Sequence, residues 1–257
     1  MHDHLSPPHI QERQGICIFD VRIDALTRSA LQNYLLNSIR TGIRGWFCYV
    51  NVHTIEVAGQ LPWFKEFFEH ALIRYCDGEG VRFGAYLLGY RVPERITLSD
   101  YIYDLAGFAS ANGLRLFVLG GTVNVGERGV RQLKKLYPDL QLVGYHHGYF
   151  SELENNSIIQ EINTSQPDIL LLGMGVPKQE EWTKANFDKL NAKIVWMGGG
   201  FLDTLSGEKK QCPRWLGNIG LEWLFRLVQE PKRLWRRYLI GNPLFLLRII
   251  QARFQRN

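Results

Sequence analysis

One carboxylate, Asp77, stands in the turn Cys76-Asp77-Gly78, and Arg95 and Asp100 follow it at the two ends of Arg95-Ile96-Thr97-Leu98-Ser99-Asp100. Gly78 permits the sharp backbone bend that a residue with a Cβ resists. A carboxylate on a tight turn near a guanidinium suits a general base beside an anion clamp. The same spacing also suits a helix-capping Asp and a surface Arg, and both readings stand at this point. A second candidate, Asn51, ends an apolar run, where it can bind a ligand or cap the helix that follows.

The elements that must position these residues follow from the hydrophobic pattern. Apolar runs at 16–21, 46–50, 114–119, 140–144, 169–172 and 193–197 suit strands. Helical spacing covers 26–39, 54–60, 62–73, 125–137 and 152–164, and a short apolar helix follows the Asp77 turn. This alternation argues an α/β fold: a Rossmann-like parallel sheet with helices on both faces, plus a C-terminal helical basic appendage. Right-handed crossovers then place the turns at Gly120-Gly121, Gly173-Met174-Gly175 and Gly198-Gly199-Gly200 at the carboxyl edge of the sheet, where open α/β sheets bind ligands. None of these turns has G-x-G-x-x-G spacing, and the strand after the first ends in Gly144-Tyr145-His146 with no acidic residue for a ribose, which disfavours a dehydrogenase. No phosphate-binding G-x-x-x-x-G-K-[ST] exists either. Backbone amides at helix N-termini, able to hold a diphosphate without a metal, are what survive.

The chain of 257 residues, with 46% hydrophobic and 21% charged residues, lies in the soluble globular range. Its four cysteines (Cys17, Cys48, Cys76, Cys212) are widely spaced, which reads as reduced thiols without a disulfide framework or zinc site. Residues 1–15 read as a flexible polar leader containing His2, His4 and His9, with no apolar signal core, so a cytoplasmic protein is expected. Residues 16–211 read as the α/β core and 212–257 as a helical basic and aromatic appendage. From Cys212 onward nine Lys/Arg face two Glu, whereas the whole chain carries +5, so the body before it is mildly acidic. Helices are expected at 221–229, 232–240 and 244–254, with Gly241-Asn242-Pro243 as a break. Trp235, Leu239, Phe245, Leu246, Ile249, Ile250 and Phe254 interleave with arginines, the pattern of an interfacial segment on an anionic membrane; a helix packed on the core or on another subunit is the alternative. The longest apolar run falls far short of the ~20 residues that span a bilayer.

Several motifs in one order resemble the WecG/TagA/CpsF family of bacterial glycosyltransferases (glycosyltransferase family 26). They are Asp77-Gly78-x-Gly80-Val81, Leu88-Gly89, Pro93-Glu94-Arg95-Ile96-Thr97 with Ser99-Asp100, and Gly173-x-Gly175-x-Pro177-Lys178-Gln179-Glu180. Gly198-Gly199-Gly200-Phe201-x-Asp203, Gly220-Leu221-Glu222-Trp223-Leu224, Glu230-Pro231 and Arg236-Arg237-Tyr238 continue the match. The resemblance implies an inverting, metal-independent enzyme with no cofactor, moving an N-acetylmannosaminyl-type, glucosyl or uronosyl group from a UDP-sugar to a polyprenyl-diphosphate-linked sugar. It implies work on surface polysaccharide at the inner face of the plasma membrane, with the protein peripheral there. It places Asp77 on the family's proposed base. Tyr49, Asn51, Arg95, Asp100 and Gln179, with Gly120, Gly121, Gly173 and Gly199, fall around the donor, and Arg226, Arg233 and Arg236 over its diphosphate. The sequence lacks Asp-x-Asp, the usual metal–diphosphate clamp, and arginines can supply that charge.

Three positions depart from the family pattern: Tyr49 where Thr is common, Leu98 for Gly, and Gln211-Cys212-Pro213 for Arg-Ala-Pro. The first and third bear on which sugar is accepted. A nucleic-acid-binding module is disfavoured by the aliphatic tail and the lack of a reader motif, and a membrane scaffold without chemistry by Asp77 beside Arg95. A homo-oligomer is left open.

Overall fold

A computed structural model describes residues 15–218 and 220–255. The leader up to residue 14, with its three histidines, and Arg256 lie outside the described residues.

Eight strands form one sheet in the order β1-β2-β4-β3-β8-β7-β5-β6, parallel except for the β1–β2 pair. The central strands β3 (Gly45–Val50), β5 (Arg115–Gly120), β7 (Ile169–Gly173) and β8 (Ile194–Met197) lie where apolar runs predict them. They read as continuous apolar runs because helices cover both of their faces. Period-2 alternation sends Phe47, Leu171 and Trp196 into one core and Cys48, Val50, Leu170 and Leu172 into the other. Helices α1 (Arg28–Arg40), α5 (Leu98–Ala111) and α6 (Val123–Leu136) supply buried side chains to the first core. Helices α2 (Val52–Gln60), α3 (Pro62–Glu69), α4 (Glu79–Leu87) and α7 (Asn155–Thr164) supply the second. Strand β6 (Gln141–His146) closes one edge.

Three elements differ from the sequence expectation. The run at 16–21 is a hairpin, β1 (Gly15–Ile18) against β2 (Val21–Asp24), because Phe19 and Asp20 take φ of 48° and 64°. Two consecutive left-handed residues make the tight turn that joins antiparallel strands. The helix expected over 62–73 stops at Glu69, and Ile73–Cys76 is β4, wedged between β2 and β3. All four residues of β4 are buried, so they show no alternation to read. Arg74 is tolerated there because Asp24 accepts from its guanidinium at 3.2 Å and the Phe68 and Glu69 carbonyls at 3.1 and 3.0 Å.

The third difference lies in the tail. After α8 (Lys178–Asn186), α9 (Phe201–Leu205) and α10 (Arg214–Asn218) come α11 (Glu222–Gln229) and α12 (Pro231–Trp235). The chain then continues as a π-helical stretch, Arg236–Gly241, straight into α13 (Asn242–Phe254). Pro243 therefore does not break the helix: the wider turn moves the bonding register where its missing N–H would be felt. One face of this tail packs on the body. Phe245 meets Phe19 edge-on at 5.8 Å, and a Cβ on Gly84 of α4 would come within 2.9 Å of the Phe245 ring. Leu234, Phe245 and Ile249 are buried, while Trp235, Leu239, Leu244, Leu247, Ile250 and Phe254 remain exposed. No helix among the described residues is long and apolar enough to cross a membrane.

Candidate active site

Asn51, Asp77 and Gly198–Gly200 leave the carboxyl ends of three adjacent strands, β3, β4 and β8. Asn51 is the N-cap of α2, its side chain accepting from the Thr54 amide at 3.1 Å and its own amide donating to Thr54 Oγ1 at 2.9 Å. That cap leaves Asn51 Nδ2 free to donate to Asp77 Oδ2 at 3.1 Å. The capping reading of Asn51 therefore holds, and the same side chain also reaches the candidate base. The Asp77 amide donates to the Val50 carbonyl at 2.8 Å, and Gly78 turns the chain at φ 109°.

The segment at 93–97 runs back along β4, its Ile96 amide donating to the Cys76 carbonyl at 2.8 Å. This brings Thr97 Oγ1 to within 2.7 Å of Asp77 Oδ1, to which it donates. Each carboxylate oxygen of Asp77 therefore has one fixed donor. Asp77 lines two cavities, one of about 320 Å³ and one of about 650 Å³. Asn51, Thr97, Arg226 and Arg237 also face both.

The smaller cavity is walled by Tyr49, Asp100, the Gly198–Gly200 turn, Lys209 and Arg233. Gln179, fully buried behind it, accepts from the Gly199 amide at 3.1 Å and donates to Glu180 Oε1 at 2.8 Å, with Tyr49 Oη at 3.5 Å. A Cβ on Gly199, at φ 60°, would lie 2.9 Å from that phenol oxygen, so glycine lets the turn close over Tyr49. Burial pushes the Tyr49 phenol far above its ordinary range, and the Glu180 and Asp77 carboxylates add to this, so it stays protonated. Burial likewise pushes Glu180 up to about 8, with the hydrogen bond from Gln179 partly opposing, and among the described residues Glu180 Oε2 has no hydrogen-bond partner. His53, on the same wall, is pushed down to about 4 by burial and by the charge of Arg237.

Arg95 lines the larger cavity but is shared among three carboxylates: Glu222 in direct contact, Asp100 at 3.4 Å and Glu79 at 3.7 Å. Glu222 also accepts from Arg226 at 2.6 Å within α11, and it is its contact with Arg95 that ties α11 to the body. Asp100 takes a further hydrogen bond from Gln211 at 2.9 Å, at the position where the sequence departs from an arginine. Arg233 pairs with Glu230 at 2.6 Å. Gly120, Gly121 and Gly173 lie outside both cavities. A Cβ on Gly120 would come within 2.5 Å of Gly173, so these glycines let neighbouring strand ends approach each other.

Arg236 also lies outside both cavities, exposed over the Trp235 ring at 5.3 Å. Its neighbour Arg237 faces them instead and, among the described residues, forms no ion pair. The family resemblance pointed to Arg236; neighbouring helical residues differ by ~100° in direction, and no periodicity marks where a π turn shifts the phase toward Arg237. Thr97 and His53 were also missed, although Thr97 lies inside the Pro93–Thr97 motif, where a hydroxyl beside a carboxylate turn was the available signal.

A parallel α/β sheet with a pinned carboxylate under cationic helices at its carboxyl edge defines a ligand-binding site of the doubly wound kind. Residues 16–257 match the model of the Glycosyl transferase WecG/TagA/CpsF family, and the chain belongs to that family. It is a glycosyltransferase. Among its relatives is the N-acetylglucosaminyldiphosphoundecaprenol N-acetyl-beta-D-mannosaminyltransferase of Staphylococcus aureus strain MRSA252, 30% identical over 190 residues, or 74% of this chain and 73% of that one. The protein of the same name from strain MW2 is similar to the same extent.

Proposed function

We propose that the protein transfers a sugar from a UDP-sugar to a polyprenyl-diphosphate-linked sugar, with inversion and without a metal, in the synthesis of a cell-envelope polysaccharide. The observation that carries this reading is the Asp77 carboxylate, pinned by Thr97 and Asn51 and facing both cavities. The acceptor hydroxyl gives its proton to Asp77 as its oxygen forms the new bond to the anomeric carbon. The bond from that carbon to the UDP oxygen breaks on the opposite face, and its electron pair leaves with UDP. General-base help of this kind contributes ~10²–10⁴ in rate.

The leaving diphosphate needs counter-charge at the moment it departs. Lys209, Arg226 and Arg233 stand around the smaller cavity to supply it. Each Asp77 oxygen accepts one hydrogen bond and keeps a further lone pair for the acceptor's proton, while Glu79 faces Arg82 and Arg95. The relatives' names carry an N-acetylmannosaminyl group and an N-acetylglucosaminyl-diphosphoundecaprenol acceptor, and these are the first substrates to try. The 212–257 appendage, with its outward apolar and basic side chains, would hold the protein at the cytoplasmic surface of the membrane that carries the acceptor.

The test incubates the protein with that acceptor and UDP-N-acetylmannosamine, UDP-glucose or UDP-glucuronate in turn. A lipid product heavier by one sugar with one donor is expected; UDP release from none of them would sink the reading.

A further inference from the structure

We propose that the larger cavity seats the isoprenoid diphosphate of the acceptor, so that donor and acceptor reach Asp77 from separate cavities. This rests on the transferase reading above and assigns the half of the site that reading leaves open.

The two cavities differ in chemistry. The smaller is walled by a glycine turn, lysine and arginine, as a nucleotide diphosphate requires. The larger, about 650 Å³, falls within the roughly 300–1,000 Å³ of small-molecule sites. Its walls are Val81 and Phe83 from α4, Trp223 from α11, and Leu239, Pro243 and Leu246 from the tail. Its inner end is polar, with Asn51, Asp77, Thr97, Arg226 and Arg237. Phe83 and Leu239, 50% and 54% exposed, stand in the wall and on the surface at once. Leu244 and Leu247 continue that apolar surface along α13 at 53% and 56% exposure.

A ligand that fits this gradient has an anionic head and a hydrocarbon chain that leaves toward an apolar phase. The head needs a cation not already committed. Arg95 is shared by three carboxylates and Arg226 by Glu222, whereas Arg237 is half-buried at the junction and forms no ion pair among the described residues. A diphosphate beside Arg237 sets the sugar attached to it next to Asp77, where its hydroxyl must lose a proton. A water-soluble acceptor would have no use for the apolar walls, which cost free energy to leave facing water.

The experiment uses the full chain in neutral detergent and a farnesyl-length isoprenoid diphosphate carrying a terminal benzophenone. After irradiation, the captured peptides are mapped by mass spectrometry, with and without saturating UDP. Adducts in 79–87 and 236–250 that persist with UDP are expected. Phe83→Asp and Leu239→Asp, both at half-exposed positions, should each lower capture tenfold or more, with UDP affinity as the control for a folded protein. Displacement by UDP, adducts elsewhere, or capture unchanged in both variants would overturn the proposal. So would full displacement by an equal concentration of anionic phospholipid, which would make the cavity a membrane-lipid site. A wild-type protein that captures the probe here but does not bind UDP supports this assignment while sinking the donor reading.

Discussion

Asp77 has one donor on each oxygen, Thr97 at 2.7 Å and Asn51 at 3.1 Å, and this sets what its replacement does. In Asp77→Asn the amide oxygen can still accept from Asn51 and its NH₂ can donate to the Thr97 hydroxyl, so the side chain keeps its place while the proton-accepting charge is lost. UDP affinity should stay within a few-fold of wild type while turnover falls by about 10² or more; near-wild-type turnover would remove Asp77 from the base role. Arg237→Ala removes the one cation facing both cavities that has no ion pair among the described residues, and kcat/KM should fall at least about tenfold. The same variant has a readout without activity. Arg237 helps hold His53 at about 4, so its loss should raise the His53 midpoint, still below the ordinary value because burial is the larger cause. An NMR titration that leaves His53 unmoved would place Arg237 away from that wall. Glu180 makes stability depend on pH. Its folded value, about 8, lies above its unfolded one, so its contribution is whole below about 4.5 and is lost as pH rises toward 8. Glu180→Gln should therefore melt about 3 °C or more above wild type at pH 9 and close to it at pH 4.5; equal differences at both would contradict the buried acid.

The tail behaves as an element with two faces, and truncation after Leu216 tests both. Phe245 and Ile249 are 2% and 0% exposed against Phe19 and Gly84, and each buried side chain of this size contributes about 2 kcal/mol. The truncated chain should melt lower than the full one. It should also bind anionic vesicles poorly, since each basic residue near such a surface contributes ~1 kcal/mol. With a soluble acceptor analogue it should still transfer little, because Arg226, Arg233 and Arg237 leave with the tail; normal transfer would reduce the tail to an anchor. The outward face was legible from interleaved aromatics and arginines, but the inward one was not. Nothing in the spacing of Phe245 and Ile249 shows that Gly84 lacks the Cβ that would keep them off α4. The central strands were legible because each is an unbroken apolar run between turn residues. Strand β4 was not, since four buried residues that include an arginine carry neither alternation nor a run. At the site, Asn51 stood at the end of an apolar run and Asp77 in a glycine turn, where a sequence can mark them. The phase of Arg237 depends on a π turn that no residue type announces.

At the scale of the whole molecule, every element that reaches the site does so from one edge of the sheet, and the tail crossing that edge adds Arg226, Arg233 and Arg237 to the Lys209 and Arg95 of the body. Turnover should survive a chelator for that reason. Loss of activity in EDTA, restored by magnesium or manganese, would instead turn the Asp77 and Glu79 carboxylates into metal ligands. The contacts at the two ends of the tail have a mechanical consequence. Glu222 fastens its beginning through Arg95, and Phe245 and Ile249 fasten its end in the core. Between them the α11–α12 junction is a third fastening above the smaller cavity, with Glu230 paired to Lys209 at 3.0 Å and Gln229 bonded to the Lys210 backbone at 2.9 and 3.2 Å. A strap held by two polar clasps and one hydrophobic seat opens first at the clasps, where water and salt can replace the partner. Amide exchange should accordingly be slowest near Ile249 and quicken with salt around Glu222 and Glu230, so that substrates come and go without baring the hydrophobic seat that fastens the strap.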